Sequence, residues 1–402
     1  MEIKERFLKY VSINTQADED SSSVPSSACQ LDLERILAQE CKEIGFDEVQ
    51  LDESGIVYAT LFSTDDTKDA IGFLAHMDTA CELSGKDVKP RIIENYQGEV
   101  IQLNDHYSMS KEMYPALATC ISEDLIVTDG TTLLGGDDKA GIAIIMSALE
   151  KVIKEKIPHG KIMVAFTCDE EVGRGTDTFD LDRFDVDYAY TIDGGEVECV
   201  DYENFNAAKA HIEIVGSSIH PGDAKDKMVN AGLLAVEFAS RFPKEQIPSK
   251  TEGREGFYHL TNLQGDVELA TLDYILREHD EDKFKAQKNF VTDLVDEFNQ
   301  KYDGRFQLEI KDQYKNMYSY IKHDMRCVDK AKQAIEMAGI KPVSNPVRGG
   351  TDGAMLSEKG LLTPNLGTGS FNHHGRYEFA SIQKMEKMVD IFINIIKYYE
   401  EL

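Results

Sequence analysis

One acidic stretch is the first place in this sequence to look for chemistry. It begins as an apolar segment, 162–166, continues through Asp169, Glu170 and Glu171, and ends in a Gly-Arg-Gly turn. Carboxylates crowded at the end of a buried strand repel one another, and this is costly unless a cation neutralises them. A metal ion would hold one carboxylate and leave its neighbour free as a base. The alternative is a solvated acidic turn without chemistry, which is common in acidic chains.

Residues of the same kind follow several other apolar runs. With the first stretch they form a set of two histidines and five carboxylates: His76, Asp78, Asp137, Glu170, Glu171, Asp193 and His374. The carboxyl ends of parallel strands lie along one edge of a sheet, so these side chains are expected to converge there. Imidazole and carboxylate ligands together suit zinc, manganese or cobalt rather than calcium. Two such ions about 3.5–4 Å apart could share one bridging carboxylate.

Each of these residues also has an interpretation without chemistry. His76 could be an ordinary core histidine, although Asp78 lies on the same face of the strand, where it can hold the second imidazole nitrogen. The other aspartates could be helix caps or turn residues. His374 could belong to a surface pair with His373. Their joint occurrence in this order favours a metal site.

The elements that must position these residues alternate between strand and helix. Apolar runs at 70–75, 162–166 and 187–192 predict strands, and the spacing of apolar residues over 140–153 predicts a helix. Such alternation predicts an α/β fold built on a mostly parallel sheet.

The pattern changes near Asn206, where a run with period two begins. The following βαβ-βαβ order is consistent with a small α+β domain inserted into the larger one. We therefore predict a catalytic domain over 1–205 and 318–402 and an inserted domain over 206–317.

Composition narrows the classes of function. The 402 residues suit two domains or one large domain with an insertion, and a formal net charge of −30 argues against a nucleic-acid partner. The seven cysteines are scattered and contain no Cys-x-x-Cys pair, which argues against a disulfide framework and a structural zinc knuckle. No apolar run approaches about 18 residues and the first residues are charged, so we predict a cytoplasmic protein without a membrane partner.

A family resemblance covers nearly the whole chain. It is carried by seven motifs in a fixed order: His76-Met-Asp-Thr79, Gly136-Asp-Asp-Lys-Ala-Gly141, Asp169-Glu-Glu-Val-Gly173, Asp193-Gly-Gly195, His220-Pro-Gly222, Arg348-Gly-Gly-Thr-Asp-Gly353 and His374-Gly375. With these motifs the chain resembles the peptidase T family, the tripeptide aminopeptidases of the zinc exopeptidase superfamily that includes aminoacylase and carboxypeptidase G. The narrower match rests on Asn204-Phe-Asn-Ala-Ala208, the Arg348 loop and the chain length.

The resemblance implies two zinc ions per subunit, which cobalt or manganese could replace. One zinc would be held by His76, Asp137 and Asp193, and the other by Asp137, Glu171 and His374, with Asp137 as the bridge. Glu170 would be the general base, Asp78 would orient His76, and His373 would be a neighbour rather than a ligand. The Asp137–Asp138 peptide bond would be cis. Gly136 stands where the family has alanine, a change between small residues that we expect to matter little.

The resemblance also implies roles for the inserted domain, which would be a lid and would form a homodimer. Arg348, together with Arg277 from the lid, would hold the carboxylate of the substrate. His220 would contribute to the site of a partner subunit. A glycine-rich bend around Arg348 and a simple turn at His220 are the alternatives without chemistry.

These features predict a metallopeptidase of peptide catabolism that releases the N-terminal residue from tripeptides with a metal-activated water. A guanidinium that grips the terminal carboxylate at a fixed distance from the metals would measure substrate length. The metal ligands alone do not distinguish this activity from a dipeptidase, a carboxypeptidase or an N-acyl amino acid deacylase of the same superfamily. A non-catalytic metal-binding protein is the further alternative, and the presence of Glu170 beside a complete ligand set speaks against it.

Overall fold

A computed structural model describes residues 1–65 and 68–398 of the chain. The strands, in chain order, are β1 (Glu48–Leu51), β2 (Val57–Leu61), β3 (Ile71–His76), β4 (Arg91–Ile93), β5 (Ile101–Gln102), β6 (Ser108–Met109), β7 (Leu125–Val127), β8 (Ile162–Thr167), β9 (Tyr188–Gly194), β10 (Val200–Asp201), β11 (Asn206–Val215), β12 (Phe257–Gly265), β13 (Leu269–Glu278), β14 (Phe306–Tyr314), β15 (Asn365–Gly367), β16 (Ser370–Phe371) and β17 (Phe379–Ser381). The helices are α1 (Ile3–Val11), α2 (Gln30–Ile44), α3 (Gly136–Glu155), α4 (Ala231–Ala239), α5 (Glu281–Lys301), α6 (Tyr318–Ile321), α7 (Arg326–Met337), α8 (Asp352–Glu358) and α9 (Ile382–Tyr398).

The chain divides into two compact units. The first comprises Met1–Tyr202, Tyr320–Ser344 and Thr351–Leu402, and the second comprises Glu203–Ser319 and Asn345–Gly350. The second unit therefore includes the segment that carries Arg348, which the sequence analysis places in the catalytic domain. Contacts of the Val347 backbone explain the difference, because Val347 N donates to Glu203 O at 2.9 Å and the side-chain nitrogen Nε2 of His279 lies 3.1 Å from Val347 O.

The first unit is organised around a seven-stranded sheet with the order β1-β2-β8-β3-β9-β15-β10. The four central strands, β8, β3, β9 and β15, are parallel, and the outer strands are antiparallel. Strands β3 and β8 are buried along their whole length, as uninterrupted apolar runs predict. The predicted α/β fold with a mostly parallel core is confirmed.

Helices cover both faces of this sheet. On one face α9 packs against β3, where the Phe392 ring stacks on Phe73 with centroids 3.8 Å apart. On the other face Leu356 of α8 joins a buried cluster with Phe179 and Phe184. A smaller antiparallel sheet, β16-β17-β7-β4, belongs to the same unit.

The second unit contains a four-stranded antiparallel sheet with the order β12-β13-β11-β14. Alternate residues of β11, among them Ala210, Ile212 and Ile214, are buried with apolar residues of α4 and α5. The chain order β11-α4-β12-β13-α5-β14 is the predicted α+β arrangement.

Two further expectations can be compared with the structure. All seven cysteines are free, as their scattered positions predict. Among the described residues, no helix has both the length and the apolar character that crossing a membrane requires.

Candidate metal centre

Three adjacent parallel strands place the first group of polar side chains. His76 is the last residue of β3 and lies opposite Thr167, the last residue of β8. The 3₁₀ turn that follows β8 carries Glu170 and Glu171, and Asp193 lies near the end of β9. Because parallel strands end along one edge of a sheet, the side chains converge there as expected.

The smaller sheet places the second group. β7 leads through a loop to Asp137, and His374 lies in the connection between β16 and β17. Phe379 of β17 is paired with Val127 of β7, and this pairing brings the two connections together. His374 has a positive φ of 62°, a conformation that is unfavourable for a residue other than glycine and is often found at functional sites.

His76, Asp137 and Asp193 form the more deeply placed set of candidate metal ligands, which we call the buried triad. His76 Nε2 lies 3.0 Å from Asp137 Oδ1 and 3.5 Å from Asp193 Oδ1. The other imidazole nitrogen, Nδ1, lies 3.4 Å from Asp78 Oδ1. Nε2 thus faces the candidate ligand carboxylates, while Nδ1 is held by Asp78 through its backbone carbonyl, at 3.1 Å, as well as through its carboxylate.

Asp137, Glu171 and His374 form a second set, which we call the open triad. His374 Nε2 lies 3.0 Å from Glu171 Oε2 and 3.3 Å from Asp137 Oδ2. In each triad one ligand atom from every residue lies within 4.8 Å of the others. Asp137 belongs to both triads and uses a different oxygen in each.

Asp78 connects the histidine of the buried triad with the acidic turn after β8. Its two carboxylate oxygens accept hydrogen bonds from the backbone N–H groups of Glu170 and Glu171, each at 3.1 Å. The side chain of Asp78 is fully buried. It therefore fixes the backbone that carries Glu170 and Glu171 as well as the ring of His76.

Burial and mutual repulsion change the proton affinities of these groups. Burial and repulsion from Asp137 raise the pKa of Asp193 to about 7. Burial, with repulsion from Asp193 and Asp352, holds the pKa of Glu170 well above its usual range. Hydrogen bonds to Asp137 and Glu171 raise the pKa of His374 to about 12. Burial is the largest cause of the shift for both carboxyl groups, whereas the neighbouring carboxylates stabilise the charged form of His374.

The residues present fit divalent metal ions. Each triad offers one imidazole nitrogen and two carboxylates, a donor set that suits zinc or a similar ion. Glu171 Oε1 is buried and has no hydrogen-bond partner among the described residues. A buried carboxylate oxygen without a partner is costly, and a metal ion would satisfy it.

Three details of the loops around the triads can be compared with expectation. The Asp137–Asp138 peptide bond is cis, as the resemblance implied. His373 Nδ1 lies 3.3 Å from Asp137 Oδ2, so this neighbour of His374 also contacts the shared carboxylate. Gly136 makes a close approach to another part of this backbone's surroundings. A Cβ at position 136 would lie 2.2 Å from Ser370 Oγ, so Ser370 would have to move.

The three predicted substrate-binding residues lie in the second unit. Arg348 donates from Nη1 to the carbonyls of Gly253 and Glu255 and from Nη2 to Thr251 Oγ1, each at 2.9 Å. It is therefore held by its own unit.

The other two residues have fewer partners. Arg277 is half-buried over the ring of Tyr314, and its Nη1 donates to Leu276 O at 3.0 Å. His220 is exposed, and its Nδ1 accepts from Gly222 N at 3.1 Å. Within the described part of the chain, neither the Arg277 nor the Arg348 guanidinium forms an ion pair.

Sequence reasoning missed two carboxylates near the triads. Glu82 Oε1 lies 3.1 Å from His374 Nδ1, the ring nitrogen that faces away from the open triad. Glu378 accepts hydrogen bonds from the backbone of the loop that ends at Asp137. No spacing rule indicates either residue, since Glu82 follows an irregular turn and Glu378 acts on a part of the chain more than 240 residues away.

Comparisons with known proteins agree with this centre. The sequence profile of peptidase family M20/M25/M40 matches residues 130–398. The chain is 50% identical over 403 residues to a peptidase T of Clostridium perfringens, with 99% of each chain covered. It is 51% identical to a peptidase T of Desulfitobacterium hafniense, covering 99% of this chain and 98% of the relative.

Solved structures share the fold. The aminopeptidase PepT of Bacillus cereus is similar with a TM-score of 0.80 and 23% identity, covering 99% of this chain and 98% of that one. A dinuclear metal-binding peptidase of the M20 family from Bacillus subtilis is similar with a TM-score of 0.66 and 12% identity, covering 98% of both chains. The profile match and the identity over the full length together show that the chain belongs to peptidase family M20/M25/M40.

Proposed function

We propose that this peptidase is a zinc-dependent tripeptide aminopeptidase that releases the N-terminal residue of its substrate. The observation that carries the proposal is the shared carboxylate, because Asp137 offers one oxygen to each triad while Glu170 lies beside both. The likeness to peptidase T proteins over the full chain supports the choice of substrate.

Two zinc ions would be held by the two triads, one in the buried triad and one in the open triad, and cobalt or manganese could replace them. When bound, zinc would supply Lewis-acid polarisation of the scissile carbonyl and a more acidic water molecule. The crowding of buried carboxylates supports this assignment, because it makes divalent cations favourable at this position.

Proton transfer and positioning are assigned to residues of the chain itself. Glu170 takes a proton from the attacking water and delivers it to the leaving amine. Asp78 positions this base, since it accepts a hydrogen bond from the backbone N–H of Glu170. Asp78 also orients the His76 ring, so that one residue fixes both a ligand and the base.

Substrate length is set, in this proposal, by the arginines of the second unit. A guanidinium binds a carboxylate through two parallel hydrogen bonds, a geometry that lysine cannot reproduce. Neither Arg348 nor Arg277 forms an ion pair among the described residues, so each guanidinium is able to bind the carboxylate of a substrate. His220, whose ring is exposed, is proposed to contribute to the site of a partner subunit.

The inserted unit is also proposed to be the lid and to form a homodimer. Support comes from exposed apolar side chains on α4, Leu233 and Val236, which a second copy would cover. Sedimentation of the purified chain as a monomer at micromolar concentration would contradict the dimer. A cytoplasmic location stays a prediction.

The experiment that tests the function is a peptide panel at defined zinc content. Di-, tri- and tetrapeptides are supplied with free or blocked termini, and the released residue is identified. We expect hydrolysis of free tripeptides at the first bond, loss of activity on acetylation of the amine, and abolition by a chelator. Preference for dipeptides, release from the carboxyl end, or cleavage of N-acyl amino acids would each replace the proposal with the corresponding activity.

The same peptide panel tests whether Arg348 binds the carboxylate of the substrate. Arg348→Lys should lower kcat/KM for free tripeptides by about 10-fold or more, because a bidentate charged contact contributes roughly 1.5–3 kcal/mol. Tripeptide amides should be affected far less. Arg241→Lys is the matched control, since Arg241 is an exposed arginine of the same unit paired with Glu297. Equal losses on free and amidated peptides would contradict the carboxylate role.

A further inference from the structure

Glu378 is a buried carboxylate that belongs to neither triad. It lies directly before β17, and the residue is 2% exposed. No lysine or arginine lies within ion-pair distance of it among the described residues. An ionised carboxylate in such a place needs other partners, and its hydrogen bonds show what these are.

Three backbone N–H groups of one loop donate to this carboxylate. Oε2 accepts from Leu134 N and Gly135 N, both at 2.8 Å, and Oε1 accepts from Asp137 N at 3.0 Å. Both carboxylate oxygens therefore accept hydrogen bonds from the connection that ends at Asp137, the residue shared by the two triads. Only a carboxylate accepts at both ends, because an amide in the same place would turn an N–H group towards backbone N–H donors.

The same residue joins the two connections that supply ligands. Glu378 follows His374 by four residues and precedes β17, which is paired with β7 ahead of the Asp137 loop. Gly136 allows the close approach, since a Cβ there would lie 3.1 Å from Glu378 Oε1 and 2.2 Å from Ser370 Oγ. A displacement of either connection is thus transmitted to the other through Glu378.

We propose that Glu378 is a positioning residue that fixes the backbone of Asp137 so that its two oxygens reach both triads. The inference rests on the proposed function, because it assigns a purpose to the geometry of a two-metal site. It differs from a purely structural role in one measurable respect. Both metal affinities depend on Asp137, so the loss of Glu378 weakens both, beyond any effect on folding.

The experiment compares Glu378→Gln and Glu378→Asp with the wild-type chain. Zinc binding to the metal-free protein is measured by competition with a chromophoric chelator, and kcat and KM are measured at saturating zinc. We expect Glu378→Gln to weaken both zinc affinities by about 10- to 100-fold, the usual cost of losing a group that orients a ligand. At saturating zinc kcat should fall more than KM changes, and Glu378→Asp should recover part of both losses.

The matched control is Glu40→Gln. Glu40 is also buried, at 5% exposure, and accepts from Arg6 Nε at 2.7 Å outside the metal centre. This variant should lower the melting temperature and leave both zinc affinities unchanged.

The outcomes separate the two proposals. If Glu378→Gln binds both zinc ions with wild-type affinity, whatever its melting temperature, the positioning role is overturned. If Glu378→Gln does not fold, the zinc affinities of Glu378→Asp decide, and wild-type values overturn the role. If the wild-type chain binds fewer than two zinc ions or cleaves no peptide, it is the proposed function that fails.

Discussion

The two triads contain the same kinds of side chain, one histidine and two carboxylates, but differ in how deeply the histidine is buried. In both, an imidazole presents Nε2 to ligand carboxylates and Nδ1 to a further carboxylate. His76 is 2% exposed and its rear partner, Asp78, is 0% exposed. His374 is 44% exposed and its rear partner, Glu82, is 60% exposed. His76 and Asp193 of the buried triad lie at the ends of central strands, whereas the histidine of the open triad comes from a surface connection.

This difference matters because electrostatic interactions weaken as solvent approaches. A pair of charges interacts several times more strongly in a partly buried site than in water, and side chains held by packing lose less entropy on binding. We therefore expect the buried triad to hold its metal more tightly than the open triad. Because Asp137 belongs to both triads, a change at this residue should affect metal binding at both.

The largest effect should come from a residue outside both triads. Glu170→Gln keeps the shape of the side chain and cannot take a proton, so turnover should fall by about 10²- to 10⁴-fold, the usual contribution of a general base. Zinc content, measured on the purified protein, should stay at the wild-type value. Glu171→Gln is the comparison, because it alters a proposed ligand of the open triad and should lower zinc content. Unchanged turnover in Glu170→Gln would remove the base from this mechanism.

A second pair of variants compares how much the histidine of each triad contributes to the free energy of unfolding. His76→Ala leaves Asp137 and Asp193 buried without their imidazole, and breaking a buried pair typically costs about 3–5 kcal/mol. His374→Ala removes a half-exposed partner, where the expected cost is about 0–1 kcal/mol. Denaturant unfolding of the metal-free proteins at pH 7 measures both values. Equal losses would show that the depth of the triads does not govern stability.

The smallest effects are expected for Asp78 and Glu82, the carboxylates that face the Nδ1 atoms of the two histidines, and the two residues should differ. Asp78→Asn disturbs the His76 ring and the hydrogen bonds from Glu170 N and Glu171 N, so one zinc affinity should fall by about 10- to 100-fold. Glu82→Gln should change the other zinc affinity by less, because Glu82 is solvated. Chelator competition resolves the two constants. A larger loss of zinc affinity for Glu82→Gln than for Asp78→Asn would contradict the prediction that the buried carboxylate contributes more.

Much of the centre could be predicted from the sequence because its ligands follow recognisable local patterns. His76 and Asp193 come directly after apolar runs that predict buried strands, and Glu170 follows another such run by four residues. Parallel strands align such ends. The positions of Glu82 and Glu378 could not be predicted in this way. They act through contacts between distant parts of the chain, and no local periodicity encodes those contacts.

What the sequence by itself determined was the identity of the ligand types, the strand ends that carry them and the order of the two units' elements. These follow from hydrophobic periodicity and glycine placement, which are local properties. Only the tertiary structure decided which histidine is buried, that Arg348 belongs with the second unit, and that Glu378 grips the Asp137 loop. Depth and loop-to-loop contact depend on how β7 and β17 pair across more than 240 residues of chain, and that pairing exists only in the folded protein.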